Sequence, residues 1–160
     1  MGRRVAHLVL TSVLALAGGP ALAACQPDQV DLRWPGGAAR FSVEIADEVS
    51  ERAQGLMGRE KMASSAGMLF VYDQPVTARF WMKNTLLPLD MVFADATGLV
   101  TAVHSNAVPL DETSIDGGRD VQFVLEINGG LAARLGLAPG AELRSPAVDQ
   151  SRAVWTCAAG

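Results

Sequence analysis

The sequence predicts a mainly β domain with two short helices, folded as a β-sandwich-like unit or a partly closed barrel. Three observations carry this. Apolar runs of strand length recur along the chain, separated by Gly, Pro, Asn or Asp. Two of them alternate cleanly, as a sheet with one buried face requires. Only two stretches carry a helical pattern, and both are short. No internal repeat, low-complexity tract or long linker divides the chain, so a single domain is expected.

The elements follow in order. Phe41, Val43 and Ile45 alternate with Ser42 and Glu44 and read as a half-buried strand. Asp47 is placed to cap a short helix, with Glu48 and Glu51 favourable in its first turn. Its apolar stripe is Val49, Ala53, Leu56 and Met57, and Gly55 implies a close neighbour there. Met68 to Tyr72 is a continuous apolar strand. Arg79 to Lys83 and Leu89 to Ala94 read as two more, punctuated by Asn84-Thr85 and Pro88. Leu99 to His104 follows a Thr97-Gly98 turn. Val121, Phe123, Leu125 and Ile127 alternate. Asn128 is placed to cap a second helix over Leu131, Ala132 and Leu135, which Gly136 ends. Pro139-Gly140 marks a turn before a strand at Glu142 to Arg144.

Composition narrows the function classes. Of 160 residues, 49% are hydrophobic, which argues for a packed core and against disorder. A formal charge of −4 gives no basic footprint for nucleic acid. Two cysteines and two histidines cannot build a tandem zinc-finger array.

Residues 1–23 have the layout of a secretory signal peptide, leaving 24–160 as the mature domain. Arg3 and Arg4 form a positive n-region, and Val5 to Ala17 is mostly apolar. Gly18-Gly19-Pro20 breaks the run before an Ala21-Leu22-Ala23 cleavage site. The run falls short of the roughly 20 residues of a membrane span. Its removal takes two arginines from the charge of −4, leaving −6, and leaves His104 as the single histidine. The expected location is the periplasm or the extracellular medium, with no membrane span in the mature chain.

Cys25 and Cys157 stand near the two ends of that domain. An oxidising compartment and an even count point to a disulfide between them, worth up to about 5 kcal/mol by loop closure. The rival reading takes Leu22-Ala23-Ala24-Cys25 as a lipobox, with Cys25 carrying a lipid anchor.

Several blocks then come in order at close spacing: Gly55-Leu56-Met57-Gly58-Arg59, Gly67-Met68-Leu69-Phe70, Phe80-Trp81-Met82-Lys83-Asn84-Thr85 with Pro88-Leu89-Asp90, and Val124 to Ile127 before Gly129-Gly130. The sequence resembles the DUF192 family, also called UPF0127, over about residues 40–145. Gly58 departs from it, since the family often has a larger residue there. The resemblance implies a compact β-sandwich-like domain, often exported or membrane-anchored in bacteria. It implies no activity and carries over no catalytic residue.

Arg59, Trp81, Lys83, Asn84 and Asp90 are the candidate ligand site: polar groups concentrated in the most unusual stretch, floored by an aromatic ring. The same residues also read as a turn lock. In that reading Asp90 and Asn84 hold loop backbone groups, and Lys83 or Arg59 neutralises Asp90. Met57, Met68, Met82 and His104 form an alternative soft-metal set suited to Cu(I), with core packing as their ordinary role. A hydrolase would have to use His104 or Asp90. A paired-carboxylate glycosidase would use Asp90 and Glu126, although Glu126 also reads as an exposed face beside Gln122. No Gly-rich phosphate loop exists, and no cofactor is implied. The expectation is an exported envelope accessory domain that binds a small molecule or an envelope protein without catalysis.

Overall fold

The structure is a computed structural model and describes residues 24–157. The proposed signal peptide lies outside the described residues. The strands are β1 (Gln29–Trp34), β2 (Gly37–Ala46), β3 (Ala66–Phe80), β4 (Leu89–Asp95), β5 (Val100–Ala107), β6 (Ile115–Asn128) and β7 (Glu142–Arg144). Helix α1 (Val49–Gln54) joins β2 to β3, and α2 (Leu131–Leu135) follows β6. All seven strands form one sheet in the order β5-β4-β6-β3-β2-β1-β7. Only β2 and β3 pair in parallel, because α1 carries the chain across between them. The sheet curls into a half-barrel. Its two edges meet where Leu99 bridges Glu142 and the Val100 N–H donates to the Ala141 carbonyl.

Curling buries both faces of the central strands. The concave face holds Leu32, Phe41, Leu69, Val92, Phe123, Leu125 and Leu143, closed by Ala132 and Leu137 around α2. The other face holds Met68, Phe70, Leu89, Met91, Phe93 and Val124, covered by Leu56 and Met82. This is why Leu89 to Ala94 reads as an unbroken buried run rather than alternating. Close packing within the sheet requires Gly67, where a Cβ would lie 2.5 Å from the Glu126 carbonyl oxygen.

Four local expectations are corrected. Arg79 to Lys83 is no separate strand: β3 runs without interruption from Ala66 to Phe80, absorbing register shifts against β6. Glu48, not Asp47, caps α1, in a capping box with Glu51. Val49 is 74% exposed, so the buried contact falls on Leu56, just beyond the helix. Gly130 (φ +75°), not Asn128, occupies the cap position of α2, while the Asn128 amide donates to the Ala63 carbonyl.

Strand β1 has no counterpart among the sequence expectations. Asp31 and Arg33 break its apolar pattern, but Asp31 is buried in an ion network. Arg40 on β2 and Arg144 on β7 each approach its carboxylate to 2.6 Å. Burial pushes the Asp31 carboxyl up, and the two guanidiniums more than offset it, holding it below its usual range. Arg144 also stacks on the Trp155 ring, which Arg33 approaches too. This holds the C-terminal segment against β1 and β7.

Cys25 and Cys157 are joined across a separation of 132 residues. In this arrangement the Cys25 sulfur carries the bond to Cys157 rather than a lipid. Replacing both cysteines by serine is expected to lower the unfolding free energy by about 3–5 kcal/mol, through the larger unfolded ensemble. Urea denaturation followed by circular dichroism measures this. A midpoint equal to the parent's contradicts it.

Candidate functional site

The five candidate ligand residues do not converge. Asp90 on β4 is fully buried and faces α2. Its carboxyl oxygens accept three backbone N–H groups: Asn106 at 2.6 Å, Gly130 at 2.7 Å and Ala132 at 2.6 Å. It therefore caps α2 from another strand and pins the end of β5 at the same time. This matches the locking reading of Asp90 but corrects its neutraliser, since among the described residues no cation pairs with it. Arg59 pairs instead with Glu44 at 2.5 Å. The Lys83 ammonium lies 5.0 Å from the centre of the Trp81 ring. Asn84 is exposed in the left-handed region (φ +51°), with its carbonyl accepting the Gly58 N–H. Trp81 is 48% exposed.

A different carboxyl lies where a ligand could reach it. Glu126 on β6 is 4% exposed, not on a solvated face beside Gln122. Its register partners are Met68 on β3 and Met91 on β4, so both flanks are apolar. Burial pushes its carboxyl from an ordinary value of 4.5 up to about 8, with no hydrogen bond or ion pair contributing. At neutral pH it holds its proton.

Glu126 lines a cavity of about 210 Å³ between α1, β3 and the loop that follows β3. Phe70, Phe80 and Trp81 form aromatic wall and Arg52, Tyr72 and Arg79 the polar part. Arg52 donates to the carbonyls of Asp47 and Val71, the latter at 2.8 Å, and its guanidinium lies 5.1 Å from the Tyr72 ring centre. Burial pushes the Tyr72 phenol up, with Arg52 pulling it down and Glu126 adding to the rise. Arg79 is mostly exposed and sits a loose 3.9 Å from Asp116. Of the candidate ligand residues, only Trp81 lines this cavity.

Asp90 and Glu126 cannot act on one bond. Asp90 registers with Ile127 and Met91 with Glu126, so the two carboxyls occupy adjacent rows and point to opposite faces. The soft-metal residues are also dispersed. Met57 lines the Glu126 cavity and Met68 a different one beside Glu44. Met82 and His104 share a third, of about 400 Å³. Among the described residues, no group of three or more His, Cys, Asp or Glu is placed to hold a metal ion. No helix among them is long and apolar enough to cross a membrane.

The family model DUF192, described as an uncharacterized ACR, matches residues 32–145. The chain is similar to the crystal structure of a protein of unknown function from Novosphingobium aromaticivorans. That protein is 40% identical, with a TM-score of 0.71, covering 79% of this chain and 93% of that one. It is similar also to a proposed transcription regulator from Sinorhizobium meliloti, 42% identical with a TM-score of 0.71, covering 76% of this chain and 95% of that one. No curated protein matches the chain at a significant level.

The two buried carboxyls should respond oppositely to removal. Asp90→Ala orphans three backbone donors and is expected to cost at least about 3 kcal/mol. For Glu126 the unfolded chain loses its proton near 4.5 and the folded chain near 8. Stability therefore falls as pH rises through that window and levels off above it. Glu126→Gln escapes the loss, so its stability relative to the parent should rise by a few kcal/mol, in order of magnitude, from pH 4 to pH 9. Denaturant midpoints for both variants at the two pH values measure this. A Glu126→Gln difference that does not change with pH contradicts the assignment.

Proposed function

The chain belongs to the DUF192 family, and from that premise we propose that it is an exported accessory domain of the cell envelope that binds a small molecule without catalysis. One observation carries the reading: a buried carboxyl with no partner of its own opens into a cavity edged by a half-exposed tryptophan. An unpaired buried carboxyl costs stability, and a ligand that completes it recovers part of that cost. Asp90, by contrast, is already satisfied by the backbone and belongs to the scaffold. Export is supported by the signal-like N-terminus and by the Cys25–Cys157 bond, which persists in oxidising compartments.

Regulation of transcription, the role proposed for the Sinorhizobium relative, gains no support from a formal charge of −4. Hydrolysis through His104 gains little, because that side chain is exposed.

A small-molecule panel read by thermal shift tests the proposal, with the indole N–H resonances of the three tryptophans reporting the location. Binders are expected to raise the melting temperature and to move the Trp81 resonance selectively. Trp81→Ala should leave the melting temperature of the free protein within about 2 °C, since exposed substitutions are nearly neutral, while weakening binding at least about tenfold. Binders that move Trp34 or Trp155 instead of Trp81 would place the site elsewhere and overturn the proposal.

A further inference from the structure

The Glu126 cavity has a charge and proton arrangement that selects among ligands. Arg52 lines it and makes no ion pair among the described residues; its guanidinium is held by two backbone carbonyls and rests on the Tyr72 ring. Arg79 lines it from β3, with only the loose contact to Asp116, both side chains more than half exposed. Among the lining residues the sole acid is Glu126. Two guanidiniums therefore share the cavity lining with one carboxyl that carries a proton and makes no hydrogen bond among the described residues. Apart from Gln54 and Thr85, the remaining wall is aromatic or apolar.

From this arrangement we infer that the cavity binds a small monocarboxylate carried on a flat ring. Arg52 and Arg79 supply the countercharge, Glu126 donates its hydrogen to one carboxylate oxygen, and Trp81 covers the ring. This rests on the ligand-binding reading and specifies its ligand class. A cationic ligand is disfavoured because it would meet both guanidiniums before Glu126 could ionise to receive it. A neutral amide would fill the space but leave Arg52 uncompensated.

The inference fixes the pH response. Around Glu126 stand its register partners Met68 on β3 and Met91 on β4, with Tyr72 and Arg79 from β3, Arg52 from α1 and Thr85 from the loop after β3 lining the same cavity. No second acid and no lysine or histidine is among them. Loss of the Glu126 proton puts a negative charge against the bound carboxylate and removes its donor, so affinity should fall as pH rises through about 8. Glu126→Gln keeps a neutral donor at every pH.

Benzoate, benzamide and benzamidinium share one ring and differ in charge, so they form the test. Calorimetric titration of the full mature chain at pH 6 and pH 9, with the Trp81 indole resonance as locator, gives all the readouts. Benzoate is expected to bind at pH 6 at least tenfold more tightly than benzamide, with benzamidinium weakest. Its affinity for the parent should drop at least tenfold at pH 9, and that drop should vanish in Glu126→Gln. Benzamidinium as the tightest binder, or benzoate binding with no pH dependence, overturns the carboxylate assignment and leaves the binding pocket standing. If none of the three binds or moves Trp81, the carboxylate assignment fails. Whether the pocket reading fails with it is then decided by the wider panel.

Discussion

Asp90 is the constraint on which the barrel end depends. One fully buried carboxyl on β4 accepts N–H groups from the end of β5, from the turn after β6 and from the first turn of α2. Without it, α2 would lack a cap, since Gly130 has no side chain to offer and its backbone is left-handed. The concave core is closed by α2, so the seating of Ala132 and Leu137 depends on the same three bonds. A charge that looks misplaced in an apolar strand is thus the tie between three segments distant in sequence.

Glu126 is the counterpart on the opposite face. Neighbouring registers on β4 and β6 send the two carboxyls to different environments. One meets backbone donors and is satisfied. The other meets methionines and aromatic rings and keeps its proton. The scaffold uses the first, and the second is left open to a cavity. The disulfide and the Asp31 network perform the comparable structural work at the other edge of the sheet, where β1, β7 and the C-terminal segment meet.

Much of the fold was legible because period and punctuation were clean. β4, β6 and β7 fall where the apolar runs lie, and Gly136 ends α2 as its position suggests. β1 is not legible in the sequence because Asp31 looks like a break until Arg40 and Arg144 arrive from distant segments. β3 reads as two strands in the sequence because its register shifts against β6 carry it past Asp73 and Pro75. The candidate site was less legible for a related reason. Alternation along β6 places Glu126 in the same row as Gln122, and a single strand cannot say that curling buries both faces. Polar residues concentrate around Trp81 in the sequence, and of the candidate ligand residues only Trp81 lines the Glu126 cavity. That concentration could not reveal that Asp90 turns inward and that Arg59 is taken by Glu44.

The central claim is that Glu126 keeps its proton at neutral pH because burial against apolar neighbours leaves its carboxyl without a partner. Carbon-detected NMR titration of the Glu126 side-chain carboxyl in the free protein tests it without ligand or variant. The account predicts a midpoint near 8, raised by burial alone. A midpoint near the ordinary 4.5 would mean that Glu126 is solvated or paired, and would contradict the account.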